Sequence, residues 1–306
     1  TKNDKIIEIG SNDGTFLSYF AKKNYSVIGY EPSLNVANVA RKKGLKVISK
    51  FFNYKNVSIN KKNKNQINLI CAANVICHIP DLKNLIKSLD YLLAKDGLFI
   101  FEEPYLGSMF KRVSYDQIYD AHVFIFSLHS VKSIFNSFGF DLINALPQKT
   151  HGGSMRYVVA RKNVFEPNSR VNHLLIKEKQ NKLHLIDSCF KFKKKCEESR
   201  RKFKIKIKKL KINGKKICGY AASAKSTTAL NYCGIDHSYI DFIVDSTKEK
   251  IGKFTPGTHI PIKSPDYFRK NYPDVAILNS WNHKKEILKK ERKFKLRGGK
   301  WISHVK

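Results

Sequence analysis

Acidic residues are scarce in this sequence. Its 306 residues hold 25 Asp and Glu against 58 Lys and Arg, a formal net charge of +33. Such an excess draws polyanions through counterion release when the cations are clustered. Here they are spread along the chain, only 191–216 is dense, and few aromatics alternate with them elsewhere. That is the pattern of solvated faces more than of a nucleic-acid footprint, so no nucleic-acid partner is expected. No run of about 18 apolar residues occurs, which excludes a membrane-spanning helix, and no membrane partner is expected. The opening Thr1–Asp4 has no signal-peptide character, and without an initiator Met the chain is expected to begin inside a longer protein. Cysteines are six, at 71, 77, 189, 196, 218 and 233, with no C-x-x-C pair. Zinc spacing is therefore missing, and reduced thiols in a cytoplasm are expected.

Apolar residues make up 42% of the chain, enough for a sizeable core, and the length suits about two domains. Residues 5–9, 26–30, 67–72 and 97–102 read as short buried strands. Helical patterns at 15–24, 34–43 and 82–94 alternate with them, which argues for a parallel sheet with crossover helices. The polar stretch 55–66 reads as a surface loop. An aromatic-rich insertion, about 104–150, precedes a strand at 156–161. Gly and Pro are absent from 168–212, and apolar residues recur at helical spacing at Leu174, Leu175, Leu183, Leu185, Ile186 and Phe190. This predicts a connector of long amphipathic helices. A second strand–turn–helix starts at Lys215, with further strands at 240–244 and 274–278. The expected division is 1–165, 166–212 and 213–306.

Glu8-Ile9-Gly10-Ser11-Asn12-Asp13-Gly14 lies between a strand and a helix. Gly10 and Gly14 permit a tight turn and close approach of a ligand. The loop has neither the G-x-G-x-x-G spacing of a dinucleotide site nor the Lys-Ser/Thr of a phosphate loop. Glu8 and Asp13 suit a cationic ligand. Glu31, in Gly29-Tyr30-Glu31-Pro32-Ser33 after the next strand, suits two ribose hydroxyls.

At these residues the chain resembles the sugar carbon-methyltransferases that act on thymidine-diphosphate-linked 4-keto-deoxysugars. The resemblance is carried by EIGSNDGTFL (8–17), GYEPSLNVA (29–37), ANVICHIPD (73–81), FEEPYLG (101–107), YDQIYDAHVFIFSL (115–128), HGGSMR (151–156), GYAASAKSTTALNYCGI (219–235), PGTHIPI (256–262) and SWNHKKEI (280–287). It implies an α/β protein: a class I S-adenosylmethionine-dependent methyltransferase domain of Rossmann-like fold, and a second C-terminal Rossmann-like domain joined to it by long helices. It implies S-adenosylmethionine as cofactor, held by Glu8, Gly10, Asn12, Asp13, Gly14, Glu31, Pro32 and Asn74, and a role in deoxysugar biosynthesis. Zinc belongs to an N-terminal region of the family that is missing here, and no metal is expected in these residues.

The implied reaction methylates the carbon beside a ketone, which needs a base, enolate stabilisation and alignment. Histidine suits the base. The family's Y-H-E-H motif falls on Tyr119-Asp120-Ala121-His122, so His122 is the candidate base and Tyr119 a hydroxyl donor. Asp120 stands where the motif has His and Ala121 where it has Glu. Taken alone, His122 reads as a core histidine beside Phe124 and Phe126, and it is the motif that favours catalysis. His78 and Asn74 follow the fourth strand, at the sheet edge where such folds bind ligands. His78 suits either catalysis or a helix start. Tyr105, Tyr115, Gln117, His151, Gly152, Gly153, Ser154 and Arg156 are candidates for the nucleotide-linked sugar. In the second strand–turn–helix, Ser223, Ala224 and Lys225 suit a pyrophosphate at a helix N-terminus, with His259, Trp281 and Asn282 on later loops. An RNA or other small-molecule methyltransferase and a non-catalytic nucleotide-binding protein remain the alternatives, and the oligomeric state is open.

Overall fold

The computed structural model describes residues 4–305. Their packing divides into two compact units. The first comprises residues up to 107 and 121–184, the second 108–120 and 185 onward. Segment 108–120, which the sequence places inside the first domain's insertion, therefore packs within the second unit. No separate connector body forms, because one of its two helices belongs to each unit.

The strands of the first unit are β1 (Lys5–Ile9), β2 (Ser26–Tyr30), β3 (Val47–Ile48), β4 (Ile67–Ala73), β5 (Leu93–Pro104), β6 (Phe140–Gln148) and β7 (Ser154–Arg161). They form one sheet in the order β3-β2-β1-β4-β5-β7-β6. The first five are parallel, and β7 runs antiparallel to both β5 and β6. This is the methyltransferase architecture that the resemblance implies. Strands β1 and β4 are near-continuous apolar runs because helices cover both faces of a parallel sheet. β6 escapes the sequence pattern: Pro147 interrupts it, which an edge strand tolerates and a central one does not.

The crossover helices are α1 (Thr15–Ala21), α2 (Leu34–Lys42), α3 (Tyr54–Val57) and α4 (Leu82–Leu92), followed by α5 (Leu106–Arg112), α6 (Leu128–Asn136) and α7 (Ser169–Gln180). α4 starts where the Asp81 carboxylate accepts the Asn84 N–H at 2.9 Å. α6 starts on a Ser127/Ser130 capping box. The buried Glu178 of α7 also accepts the N–H groups of Leu128 and His129, fastening α7 to α6. The expected surface loop 55–66 holds only the end of α3 and a 3-10 turn.

The second unit contains the 27-residue α8 (Ile186–Ile212) and a five-stranded parallel sheet. Its elements are β8 (Ile217–Tyr220), α9 (Ala224–Cys233), β9 (Phe242–Val244), β10 (Ile262–Lys263), α10 (Pro265–Lys270), β11 (Val275–Leu278), α11 (Lys284–Lys290), α12 (Arg292–Leu296) and β12 (Lys300–Ile302). The order β10-β9-β8-β11-β12 makes it a second doubly wound fold. In each sheet the strand order reverses beside the first strand, at β1/β4 and β8/β11. That is where open α/β sheets receive ligands.

Among the described residues, no helix is long and apolar enough to cross a membrane. The first unit's core centres on Phe101 of β5, whose ring stacks 5.0 Å from Phe99 and 4.9 Å from Tyr157. Phe101→Ala removes a ring that is 1% exposed and leaves a cavity between two others. We expect a loss of about 3–5 kcal/mol in urea unfolding. A loss below about 1 kcal/mol would contradict a close-packed core there.

Candidate active site

The chain must reverse direction after β1 while staying near β2. Gly10 and Gly14 take positive φ values of 67° and 75°. The N–H groups of Gly10 and Ser11 both donate to the Tyr30 carbonyl, at 2.8 and 3.1 Å. A Cβ on Gly10 would lie 2.5 Å from Val75 Cγ2, and one on Gly14 would lie 2.3 Å from Leu45 Cδ1. These glycines admit the protein's own neighbouring chain, a packing role beyond the ligand approach read from the sequence.

Glu31 ties the turn to the end of β2. One carboxylate oxygen accepts the Asn12 N–H at 3.0 Å and the other the Ser33 N–H at 2.8 Å. Each oxygen keeps a further lone pair for a ribose hydroxyl. Glu8 is 6% exposed, and one of its carboxylate oxygens has no hydrogen-bond partner among the described residues. Burial pushes its pKa up to about 8, against the lowering effect of the Leu17 N–H, with Asp13 adding to the rise. Asp13 turns elsewhere. Its carboxylate takes hydrogen bonds from Lys43 and Thr15, which lower its pKa to about 2.

Glu8, Gly10, Asn12, Asp13, Glu31, Pro32, Asn74, His78 and His151 all line one cavity of about 930 Å³ at the carboxyl edge of the sheet. Its volume suits a nucleoside-sized ligand. The cavity holds the kinds of group that S-adenosylmethionine needs: an unpartnered buried carboxyl to face cationic groups, and a clamped carboxylate with lone pairs free for hydroxyls. Asn74 has φ 56° and a buried, unpartnered side-chain oxygen on the same wall.

Behind Asn74 stands Glu103, which sequence reasoning missed. Its buried carboxylate accepts the N–H groups of Val75 and Ile76 at 2.9 and 2.6 Å and so fixes the turn that carries His78. Burial raises its pKa, opposed by the Cys77 thiol and these backbone donors. The second glutamate of Glu102-Glu103, at a strand end, was the available signal.

His78 Nδ1 lies 2.5 Å from the Ala121 carbonyl. A carbonyl only accepts, so Nδ1 carries the proton, and a neutral ring then keeps its lone pair on Nε2. This contact involves Ala121's backbone, so it survives the departure from the family's Glu. The His122 ring lies 5.0 Å from that of His78. Cys77, His78 and His122 also offer ligand atoms within 4.8 Å of one another, a set able to surround a metal ion. Burial and the Glu103 carboxylate push the Cys77 thiol pKa far up.

The other sugar candidates are scattered. Tyr105 donates to the buried Glu178 carboxylate, and burial raises its pKa. The Arg156 guanidinium pairs with Glu102 at 2.9 Å across the β5–β7 ladder. Ser154 is buried and donates to the Thr150 carbonyl. Gly152 and Gly153 form the positive-φ corner after His151. Tyr115 and Gln117 are buried in the second unit, Tyr115 against Cys233 at 3.4 Å and Gln117 donating to Ser114. Tyr119 also lies in that unit.

The second unit repeats the first unit's clamp. Asp245, at the end of β9, accepts the Ala222 N–H at 2.9 Å and the Thr247 N–H at 2.8 Å. Ala221 takes φ 79° and donates to the Val244 carbonyl, as Gly10 does to Tyr30. Sequence reasoning missed Asp245, although Val244-Asp245-Ser246-Thr247 echoes Tyr30-Glu31-Pro32-Ser33 in placing an acid after the second strand. Ser223 caps α9 through a Ser226 capping box, and Ala224 opens the helix. Lys225 Nζ is buried with no hydrogen-bond partner among the described residues. It lies 5.5 Å from the centroid of the Trp281 ring, and Asn282 follows on the same turn. His259 is not brought to them. It precedes β10 in a parallel sheet and thus sits at the amino edge, opposite Lys225.

A cationic ligand beside Glu8 favours its ionised form, so binding below pH 8 must expel a proton. Affinity for S-adenosylmethionine is expected to rise up to about tenfold per pH unit towards pH 8 and then to level off, relative to Glu8→Gln. Calorimetry in buffers of different ionisation heat reads the released proton. Equal pH slopes in the two proteins would refute the role of Glu8.

Two family models match the chain: a methyltransferase domain over residues 1–145 and a C-methyltransferase C-terminal domain over 149–305. C-methyltransferase NovU of Streptomyces niveus is 31% identical over 303 residues, which cover 99% of this chain and 72% of NovU. Among solved structures, a SAM-dependent methyltransferase of Anabaena variabilis is 16% identical, with TM-score 0.43, over 53% of this chain and 79% of its own. The magnesium protoporphyrin IX methyltransferase of Synechocystis, solved with bound SAM, is 13% identical, with TM-score 0.39, over 53% and 71%. With NovU matched over 99% of this chain and two methyltransferase family models covering it between them, the chain belongs to the S-adenosylmethionine-dependent C-methyltransferases.

Proposed function

We propose that the protein methylates the carbon beside the ketone of a nucleotide-linked 4-keto-deoxysugar, with His122 as the base. The observation that carries this reading is the pair of imidazoles, His78 on the cavity wall and His122 5.0 Å from it. Bound S-adenosylmethionine supplies an electrophilic methyl group. Glu31 and Asn74 orient that ligand, and Glu8 balances its charge. His122 takes the proton from the carbon next to the ketone, leaving an enolate whose carbon accepts the methyl, and then loses the proton to solvent. The lone pair on His78 Nε2 favours the imidazolium formed on His122. The enolate oxygen needs a hydroxyl donor, the role that the family resemblance gives to Tyr119.

The second unit reads as a nucleotide-binding domain. Lys225 and the N–H groups opening α9 hold the pyrophosphate, beside Trp281 and Asn282, and Asp245 accepts from the nucleoside sugar. Support comes from the clamp repeated at Asp245 and from the unpartnered Lys225 ammonium. We place the protein in the cytoplasm, since none of its six cysteines forms a disulfide.

The test is incubation with a panel of nucleotide-linked 4-keto-deoxysugars in heavy water, read by mass spectrometry. His122→Ala is expected to lose about 10²–10⁴-fold in methyl transfer and to lose deuterium uptake at the reacting carbon in parallel. Deuterium uptake that persists in His122→Ala would assign the base elsewhere. Failure of every such sugar to be methylated, with S-adenosylmethionine bound, would overturn the substrate class.

A further inference from the structure

The 3-10 turn Ile76–His78 carries a thiol and an imidazole side by side, and the chain returns to it at His122. Cys77, His78 and His122 offer one ligand atom each, and these three atoms lie within 4.8 Å of one another. All three residues belong to the first unit. Two contacts brace the returning segment on either side of His122. His78 Nδ1 donates to the Ala121 carbonyl at 2.5 Å, and the Phe124 N–H donates to the Cys77 carbonyl at 3.2 Å. The turn itself is held by Glu103, which accepts the N–H groups of Val75 and Ile76. The backbone therefore gathers the three side chains.

We propose that Cys77, His78 and His122 form a binding site for a divalent transition-metal ion of the zinc class. One sulfur and two imidazoles are donors that zinc and cobalt accept, whereas magnesium and calcium take oxygen. A tetrahedral zinc ion, with bonds of about 2.0–2.3 Å, keeps its ligands about 3.5 Å apart. The three atoms reach that spacing by side-chain movements of about 1 Å. His78 already has the outer arrangement of a ligating histidine. Its Nδ1–H is given to a backbone carbonyl, which fixes the tautomer and turns the Nε2 lone pair to the ion. Cys77 is 1% exposed, with the Glu103 carboxylate beside its thiol. On coordination the sulfur binds as thiolate and its proton passes to solvent. His78 lines the large cavity of the first unit, which gives the ion its entry path. One consequence rests on the proposed function: an ion that takes the lone pairs of both imidazoles leaves His122 unable to act as the base.

The test is titration of the intact, untagged chain with cobalt(II), read by absorption, because a thiolate ligand gives a sulfur-to-cobalt charge-transfer band. One equivalent is expected to bind and to produce that band. Cys77→Ser is expected to lose it, while Cys189→Ser, at an exposed thiol, keeps it. His78 is exposed, so His78→Gln spares the core. Its cobalt affinity is expected to fall more than about a hundredfold, since even an outer-shell change costs about 10–100-fold. If Cys77→Ser does not fold by circular dichroism, His78→Gln decides. Absence of the band in the unaltered protein overturns the proposal, and so does a band that folded Cys77→Ser retains or an affinity that His78→Gln leaves unchanged. These spectra need no sugar, so they stand whatever the substrate class. Zinc is further expected to slow methyl transfer about 10²–10⁴-fold, the loss expected for a missing base, with recovery on chelation. A cobalt site lost in both variants, together with methyl transfer that zinc does not slow, upholds the metal site and removes His122 as the base.

Discussion

A carboxylate at the end of the second strand organises each unit. In a parallel sheet the first turn must leave its strand, expose its N–H groups and still stay beside the neighbouring strand. Glu31 meets that demand by accepting from Asn12 in the turn and from Ser33 in its own loop. Asp245 does the same with Ala222 and Thr247. With the turn fixed, the cavity wall from Glu8 to Asp13 has one shape, and Glu8 is left buried with an oxygen to spare. The repetition makes the two units physically alike at their ligand edges, although their sheets differ in strand number and direction.

A second buried carboxylate fixes the backbone around His78. Glu103 holds the turn Ile76–His78 by its N–H groups, and His78 in turn holds the Ala121 carbonyl next to His122. The turn carrying His78 and the backbone beside His122 are therefore joined through backbone contacts. This bears on the replacement of the family's Glu by Ala121: the contact to His78 uses a carbonyl that any residue supplies.

The parallel strands β1, β2, β4 and β5 were legible from their apolar runs, because burial on both faces leaves no room for polar alternation. β6 was not, since Pro147 signals a break and only the edge position excuses it. The glycine turn, Glu31, Asn74 and His78 were legible because each follows a strand at a position where the fold needs it. Glu103 and Asp245 were not singled out, because their roles lie in contacts with backbone or side chains far along the chain. Tyr115 and Gln117 looked like sugar contacts by residue type. Their burial comes from segment 108–120 packing in the second unit, which no local pattern reveals. His259 sits on the wrong side of its sheet for the role its sequence neighbourhood suggested, a matter of strand direction alone.

Methylation of carbon makes a carbon–carbon bond. The most direct measurement is the nuclear magnetic resonance spectrum of the product formed from ¹³C-methyl S-adenosylmethionine and a uniformly ¹³C-labelled nucleotide 4-keto-deoxysugar. The expected product shows a one-bond carbon–carbon coupling between the new methyl and the ring carbon beside the ketone. A methyl resonance without that coupling, bonded instead to oxygen or nitrogen, would contradict it.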